Sequence, residues 1–227
     1  MPAAEPYVIA IDGPAGAGKS TVARALAQRL GFFLLDTGAI YRTLALQASR
    51  RAVDFDDGAA LGRLAEALAI RFDEAGRVFL DDQDVSTAIR TPEMSQGAST
   101  VSAHPPVRAA LLGLQRKLAA RGRCVVEGRD IGTVVLPWAP LKIFLTASPE
   151  VRARRRYDEL VAKGQTADLA NTLQEILIRD ERDSSRATAP LKQADDAVLL
   201  DTSELDEASV VGKMEALARA RFGAELP

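Results

Sequence analysis

Short apolar runs alternate with longer amphipathic stretches along most of this chain. Tyr7-Val8-Ile9-Ala10-Ile11 is a continuous apolar, β-branched run, the pattern of a buried strand. Thr21 to Leu30 carries apolar residues at Val22, Ala23, Leu26 and Leu30, a helical spacing, with Gly31 as its C-cap. Phe32-Phe33-Leu34-Leu35 predicts a second strand ending at Asp36. Ile40 to Ser49 predicts a helix with Tyr41, Leu44 and Ala45 on one stripe. Pro106 to Arg121 lines up Val107, Ala110, Leu111, Leu114 and Leu118 before Gly122 ends it. Val125-Val126 and Leu141-Lys142-Ile143-Phe144-Leu145 read as further strands. Ser148 as N-cap with Pro149 at N1 opens a helix to about Val161, and Asn171 opens another to about Asp183. Ala197-Val198-Leu199-Leu200 is the last strand and Val210 to Arg221 the last helix. This alternation predicts an α/β domain, a mostly parallel sheet with helices on both faces.

One stretch departs from the rhythm. Ile70-Arg71-Phe72-Asp73, Arg77-Val78-Phe79-Leu80 and Val85-Ser86-Thr87-Ala88-Ile89 read as three short strands, separated by Glu74-Ala75-Gly76 and by Asp81-Asp82-Gln83-Asp84. Hairpin-linked strands do not belong in a doubly wound sheet, so they predict a small antiparallel insert. Pro92 and the Pro105-Pro106 pair mark its far boundary.

Composition narrows the classes. The chain has 227 residues, 47% hydrophobic and 26% charged, with a net charge of −2. No global basic field draws it to nucleic acid or a membrane. One Cys and one His exclude a disulfide framework and a Cys/His zinc site. Cys124 in the run Cys124-Val125-Val126 reads as a buried core thiol, which suits a reducing cytoplasm. No apolar stretch approaches the length of a membrane span, and Met1-Pro2-Ala3-Ala4-Glu5-Pro6 lacks a signal-peptide pattern. Balanced charge and no obvious apolar surface stripe suggest a monomer.

The chemistry enters at Gly13-Pro14-Ala15-Gly16-Ala17-Gly18-Lys19-Ser20, which fits the phosphate-binding loop pattern G-x-x-x-x-G-K-[ST] at every fixed position. Strand before and helix after complete the required context. Glycines let the backbone turn tightly and aim successive N–H groups into one concavity at a helix N-terminus. Lys19 would reach the β- and γ-phosphates of ATP and the Ser20 hydroxyl would ligate Mg²⁺, with Thr21 closing the binding segment. The bland alternative is a Gly-rich turn that holds nothing.

Such a loop leaves several enzyme classes open. GTPases need D-x-x-G and N-K-x-D; Asp73-Glu74-Ala75-Gly76 is a formal match to the first, but no N-K-x-D follows. A kinase needs arginines gathered around the transferred group. Arg152, Arg154, Arg155 and Arg156 cluster early in one helix, and Arg179, Arg182 and Arg186 fall at the end of the next. Lys163-Gly164-Gln165-Thr166 between them reads as a hinge, so the pair predicts a mobile lid. The alternative is a solvated, salt-bridged helix pair.

At this point the residues resemble a family, the bacterial-type cytidylate kinases of the nucleoside monophosphate (NMP) kinase fold. The likeness rests on Ile11-Asp12-Gly13-Pro14, Asp36-Thr37-Gly38-Ala39-Ile40-Tyr41-Arg42, Glu127-Gly128-Arg129-Asp130-Ile131-Gly132-Thr133-Val134-Val135, and Arg179 through Arg186 followed by Ala187-Thr188-Ala189-Pro190-Leu191. It implies a P-loop fold with a five-stranded parallel sheet, a core of residues 1–37, 105–152 and 188–227, an NMP-binding domain of 38–104 that carries the β insert, and a helical lid of 153–187. It implies transfer of a phosphoryl group from Mg²⁺-ATP to CMP, and to dCMP. Thr37, Tyr41 and Arg42 fall in the monophosphate pocket, with Arg42 and Arg129 on the acceptor phosphate; for Tyr41 core packing is an equal alternative. Ser99, Arg108 and Asp130 are implied to read cytosine. Asp183 is implied to accept from the ribose, with Arg179 near it and Arg186 reaching the phosphates. Lys19, Arg42, Arg129, Arg155 and Arg186 are the expected catalytic set. Glu127 stands where the family pattern has Asp; it and Asp36 are the candidates for holding Mg²⁺ through water. A kinase for another nucleotide or for a small acceptor such as shikimate, and a nucleotide-dependent switch, are the rival readings.

Overall fold

β1 (Val8–Asp12) lies at the centre of a five-stranded parallel sheet. β6 (Cys124–Glu127) and then β2 (Phe33–Asp36) continue it on one side, β7 (Leu141–Thr146) and then β8 (Val198–Asp201) on the other. In this computed structural model the described residues are 7–73, 75–223 and 226; the N-terminal stretch 1–6 and Glu74 of the first hairpin turn, both read from the sequence, lie outside them. Ile11 and Asp36 both pair with Glu127, and Asp12 pairs with Phe144. The register therefore brings the ends of four strands to one edge, where ligands of open α/β sheets collect.

Side-chain alternation along β1 divides the core in two. Ile9 and Ile11 face α1 (Lys19–Leu30) and α8 (Glu207–Phe222), packing with Leu26, Leu30 and Met214. Val8 and Ala10 face the other way, toward α2 (Thr37–Arg50) and α5 (Pro105–Ala119), through Ile40, Leu44 and Leu111. Leu26, Leu30, Ile40, Leu44 and Leu111 are fully buried, each worth roughly 1.5–3 kcal/mol of removal from water.

Two helices fall where the sequence predicts none. α3 (Gly58–Glu66) starts at Asp57, whose carboxylate accepts from Ala60 N at 2.9 Å, and buries Leu61, Leu64 and Ala65. α4 (Pro92–Val101) starts at Thr91, whose hydroxyl accepts from Met94 N. Pro92 is thus the first residue of a helix rather than only a boundary.

The insert is a three-stranded antiparallel sheet of β3 (Ile70–Phe72), β4 (Val78–Leu80) and β5 (Gln83–Asp84). The expected third strand at 85–89 is a correction: β5 occupies what reads as the preceding turn. Past it the Asp84 carboxylate accepts from Ser86 N at 2.9 Å, which turns the backbone out of the ladder. Ile89 N then donates to Val85 O at 3.0 Å, closing a helical turn that buries both apolar side chains. The insert meets the main sheet through Phe72, edge-on to Phe33 with ring centroids 6.5 Å apart.

α6 (Pro149–Ala162) and α7 (Leu169–Ser185) form an antiparallel pair over the sheet edge. Ser148 and Asp168 cap them through Val151 N and Asn171 N. Gly164, at φ +71°, makes the turn that follows α6.

Candidate active site

The segment between β1 and α1 turns back over the sheet edge. Gly13 has φ +148°, and a Cβ there would lie 1.9 Å from Leu145 O, so the backbone of β7 admits only glycine. Gly16 and Gly18 take φ +74° and +86°, and Gly18 is the N-cap of α1. No side chain caps α1, which leaves its first amides for an anion. Lys19 is buried and donates Nζ to Pro14 O at 2.7 Å. Burial, with Arg129 and Arg179 close by, pushes its ammonium well below the usual lysine range.

This loop forms one wall of a cleft of about 1060 Å³. Of the residues the sequence singles out, Ala15 through Thr21, Thr37, Tyr41, Arg42, Ser99, Arg108, Arg129, Asp130, Arg155, Arg179, Asp183 and Arg186 all line it. Gly13 and Pro14 lie beneath, one packed on β7 and the other accepting from Lys19.

At the sheet edge Ser20 Oγ donates to Glu127 Oε2 at 3.0 Å, while Glu127 Oε1 is buried with no hydrogen-bond partner. Burial, and Asp36 beside it, push the Glu127 carboxyl up to about 7. Arg42 Nη2 donates to Asp36 at 2.7 Å, and Asp36 also caps α2 through Ala39 N. Thr37 Oγ1 donates to Glu127 O at 2.7 Å, fixing the start of α2 against the end of β6. Asp12, the residue before Gly13, accepts from Ile131 N and Gly132 N at 2.8 and 2.7 Å. It thereby holds the helical turn 131–135 that follows Arg129 and Asp130.

Arginines converge from the opposite side. Arg129 Nε donates to Asp183 at 3.0 Å, and Arg179 and Arg186 each come within 3.9 Å of the same carboxylate. Arg42 Nε, Arg179 Nε and Arg186 Nη2 are buried without a hydrogen-bond partner. Burial, with Arg129 near it, pulls Arg179 down to about 10. A chain of net charge −2 thus concentrates under-satisfied cations at one loop, an arrangement that a polyanion completes.

Farther along, Arg108 Nη2 donates to Asp130, and Arg108 Nη1 to Ser102 O at 3.4 Å. Arg108 also stands 5.8 Å from the centroid of the Tyr41 ring. Tyr41 is core packing and cleft wall at once, since it belongs to the buried cluster of α2 and lines the cavity. Arg182 Nη1 donates to Ser99 Oγ at 3.3 Å, and Arg186 Nη1 to Ser102 Oγ at 3.5 Å. Ser102 and the Arg182 contact are not expected from the sequence; Ser102 follows a helix whose pattern is too polar to read. Arg155 donates to Thr202 Oγ1 at 3.0 Å and Thr202 O at 2.6 Å, which holds it against the loop after β8.

Cys124 is fully buried, and burial raises its thiol to about 12, as a core residue. Among the described residues no cluster of three or more His, Cys, Asp or Glu could hold a metal, and no helix is long and apolar enough to cross a membrane.

Comparison with known proteins agrees with this geometry. The sequence profile described as cytidylate kinase matches residues 9–220. A cytidylate kinase from Exiguobacterium sibiricum is 51% identical over 213 residues, 92% of this chain and 96% of that one. One from Pseudomonas paraeruginosa is 54% identical over 216 residues, 93% and 94% of the two chains. A solved structure of an uncharacterized protein from Eubacterium ventriosum is similar at a TM-score of 0.54 with 12% identity, covering 94% of this chain and 99% of that one; it bears on the fold alone. The chain belongs to the cytidylate kinase family.

Proposed function

We propose that this protein transfers the γ-phosphoryl group of ATP to CMP, and to dCMP, giving ADP and the cytidine diphosphate. The observation that carries this reading is the set of buried, unpartnered arginine donors facing a phosphate loop across one cleft. Family membership names the acceptor.

In this reading the amides of residues 16–20 hold the donor's phosphates, and Lys19 leaves Pro14 O for the β- and γ-oxygens. Arg42 and Arg129 grip the acceptor phosphate, where planar guanidinium groups suit bidentate contact. Arg179 and Arg186 neutralise charge developing on the transferred group, and Asp183 takes a ribose hydroxyl. The acceptor phosphate is already anionic, so no general base is needed. Ser20 Oγ and the unpartnered Glu127 Oε1 are hard oxygen donors that fit a hydrated Mg²⁺ held chiefly by the phosphates. When bound, that ion would neutralise part of the charge on the transferring phosphates.

Selectivity falls to Ser99, Arg108 and Asp130. Cytosine offers an amino donor at N4 and an acceptor at N3; uracil reverses both. A carboxylate accepting from N4 with a donor to N3 leaves uracil with unpaired buried groups. Residues 153–187 act as a lid over 38–104 and the core, and closure keeps water from the donor. The balanced charge suits a monomer, and the buried Cys124 thiol suits the cytoplasm.

A coupled assay of ADP formation with CMP, dCMP, UMP and AMP tests this reading. CMP-dependent turnover well above that with UMP or AMP supports it; faster turnover of UMP or AMP overturns the base assignment.

A further inference from the structure

Arg152, in the first turn of α6, is 4% exposed, yet its guanidinium reaches three separate parts of the chain. Nε donates to Ala147 O at 2.8 Å, just past β7. Nη1 donates to Ala15 O at 3.0 Å, in the phosphate loop, and to Asp180 Oδ2 at 2.6 Å, on α7. Gly16 is what allows the approach: a Cβ there would stand 3.0 Å from both the Cβ and the carbonyl oxygen of Arg152. The first turn of α6 therefore backs the loop directly, and Arg152 lies behind the wall that Ala15 and Gly16 present to the cleft.

A trans peptide carries its C=O and N–H on opposite sides. Holding the Ala15 carbonyl toward Arg152 turns the Gly16 N–H the other way, toward the cleft. Without a cation behind it, that peptide is free to flip and withdraw a donor from the anion site. The same guanidinium is tied to Asp180, the neighbour of Arg179 on the lid helix.

From this we infer that Arg152 is a positioning residue: through Ala15 it aims the Gly16 amide at the donor phosphates, and through Asp180 it links the lid helix to that loop. Its effect falls on ATP rather than CMP, because the contact lies at the donor end and reaches no residue of the base pocket. The inference rests on the kinase reading above.

Two variants test it, Arg152→Lys and Asp180→Asn. An ammonium keeps the charge but cannot span three acceptors. Asn removes the charged partner while leaving the Ala15 contact, so it serves where Arg152→Lys fails to fold. Calorimetry would give the Kd of a non-hydrolysable ATP analogue and of CMP separately, beside a melting curve. Arg152→Lys is expected to weaken the ATP analogue about tenfold, the worth of one hydrogen bond to a charged group. CMP affinity should stay within about twofold. Asp180→Asn should give a smaller loss in the same direction. Equal losses of both ligands, or an unchanged ATP-analogue Kd in either folded variant, would overturn the inference. A wild-type protein that consumes no ATP with CMP would instead sink the kinase reading itself.

Discussion

Arg129, just past the end of β6, and Asp183, on α7, are joined by an Nε–carboxylate bond of 3.0 Å. It links the fixed sheet edge to the helix pair that covers it. Asp183 is 3% exposed, and burial works to raise its carboxyl; Arg129, then Arg179 and Arg186, outweigh that and hold it below the usual range. The sheet edge and the covering helices therefore meet on one buried anion ringed by cations.

Asp183→Asn should lower stability by roughly 1.5–3 kcal/mol at neutral pH, the worth of hydrogen bonding to a charged group. A carboxyl depressed in the folded state stabilises above its unfolded value near 3.9, and the contribution disappears as pH falls through the lower folded value. Urea unfolding of both proteins should show a gap at pH 7 that closes below about pH 3.9. A constant gap would mean that the ionic contact contributes nothing.

Glu127 has the opposite sign. Its carboxyl is raised to about 7 by burial and by Asp36, so the folded state keeps a proton that the unfolded chain releases. Stability should fall as pH rises from about 4.5 to about 7, with the full cost, up to about 3 kcal/mol, present above that. Glu127→Gln, measured without nucleotide or Mg²⁺, should match wild type near pH 4.5 and exceed it at pH 8. Equal melting temperatures at pH 8 would contradict the burial account.

Lys19→Ala should lower kcat by about a thousandfold, at the upper end for removing one donor from a developing charge. The fold should survive, because the lost partner is only the Pro14 carbonyl. Rates near wild type would take Lys19 out of the mechanism.

Asp130→Ala should reduce the ratio of kcat/KM for CMP over UMP by roughly 10–100-fold, one buried polar pair's worth of discrimination. Melting curves alongside separate this from unfolding, since the Arg108 partner is left buried. An unchanged ratio would remove Asp130 from base reading.

Two glycines of the loop should differ sharply. Gly13→Ala meets Leu145 O at 1.9 Å and should cost at least about 3 kcal/mol. Gly18→Ala meets no atom within 4 Å and bears only the strain of φ +86°, about 1–2 kcal/mol. Equal melting temperatures for the two variants would contradict the packing described.

Much of this is legible in the sequence, for physical reasons that differ by element. The β1–loop–α1 unit reads directly because each of its parts is forced: a doubly buried strand must be apolar, and the turn needs glycine at positive φ. α4 does not read because its buried face mixes Met94 and Val101 with Gly97, Ala98 and Ser99, and α3 because its apolar stripe of Leu61, Leu64 and Ala65 runs over only nine residues. Their caps, Asp57 and Thr91, were there to be seen. Val85 to Ile89 read as a strand on β-branched content, yet a single Asx turn from Asp84 redirected it. The phosphate loop and the arginine cluster read from pattern, but the base-side residues are implied by resemblance alone, because nothing in the local pattern of α5 marks Arg108 as facing Asp130 from 22 positions away. Arg152 hid for the converse reason: in a run of arginines, only packing shows which one points inward.

The most direct test is a crystal structure with a non-hydrolysable ATP analogue and CMP bound together. The triphosphate should lie on the amides of residues 16–20 with Lys19 turned to it, the CMP phosphate on Arg42 and Arg129, and the base against Ser99, Arg108 and Asp130. A vacant loop, or CMP seated away from those arginines, would contradict the account.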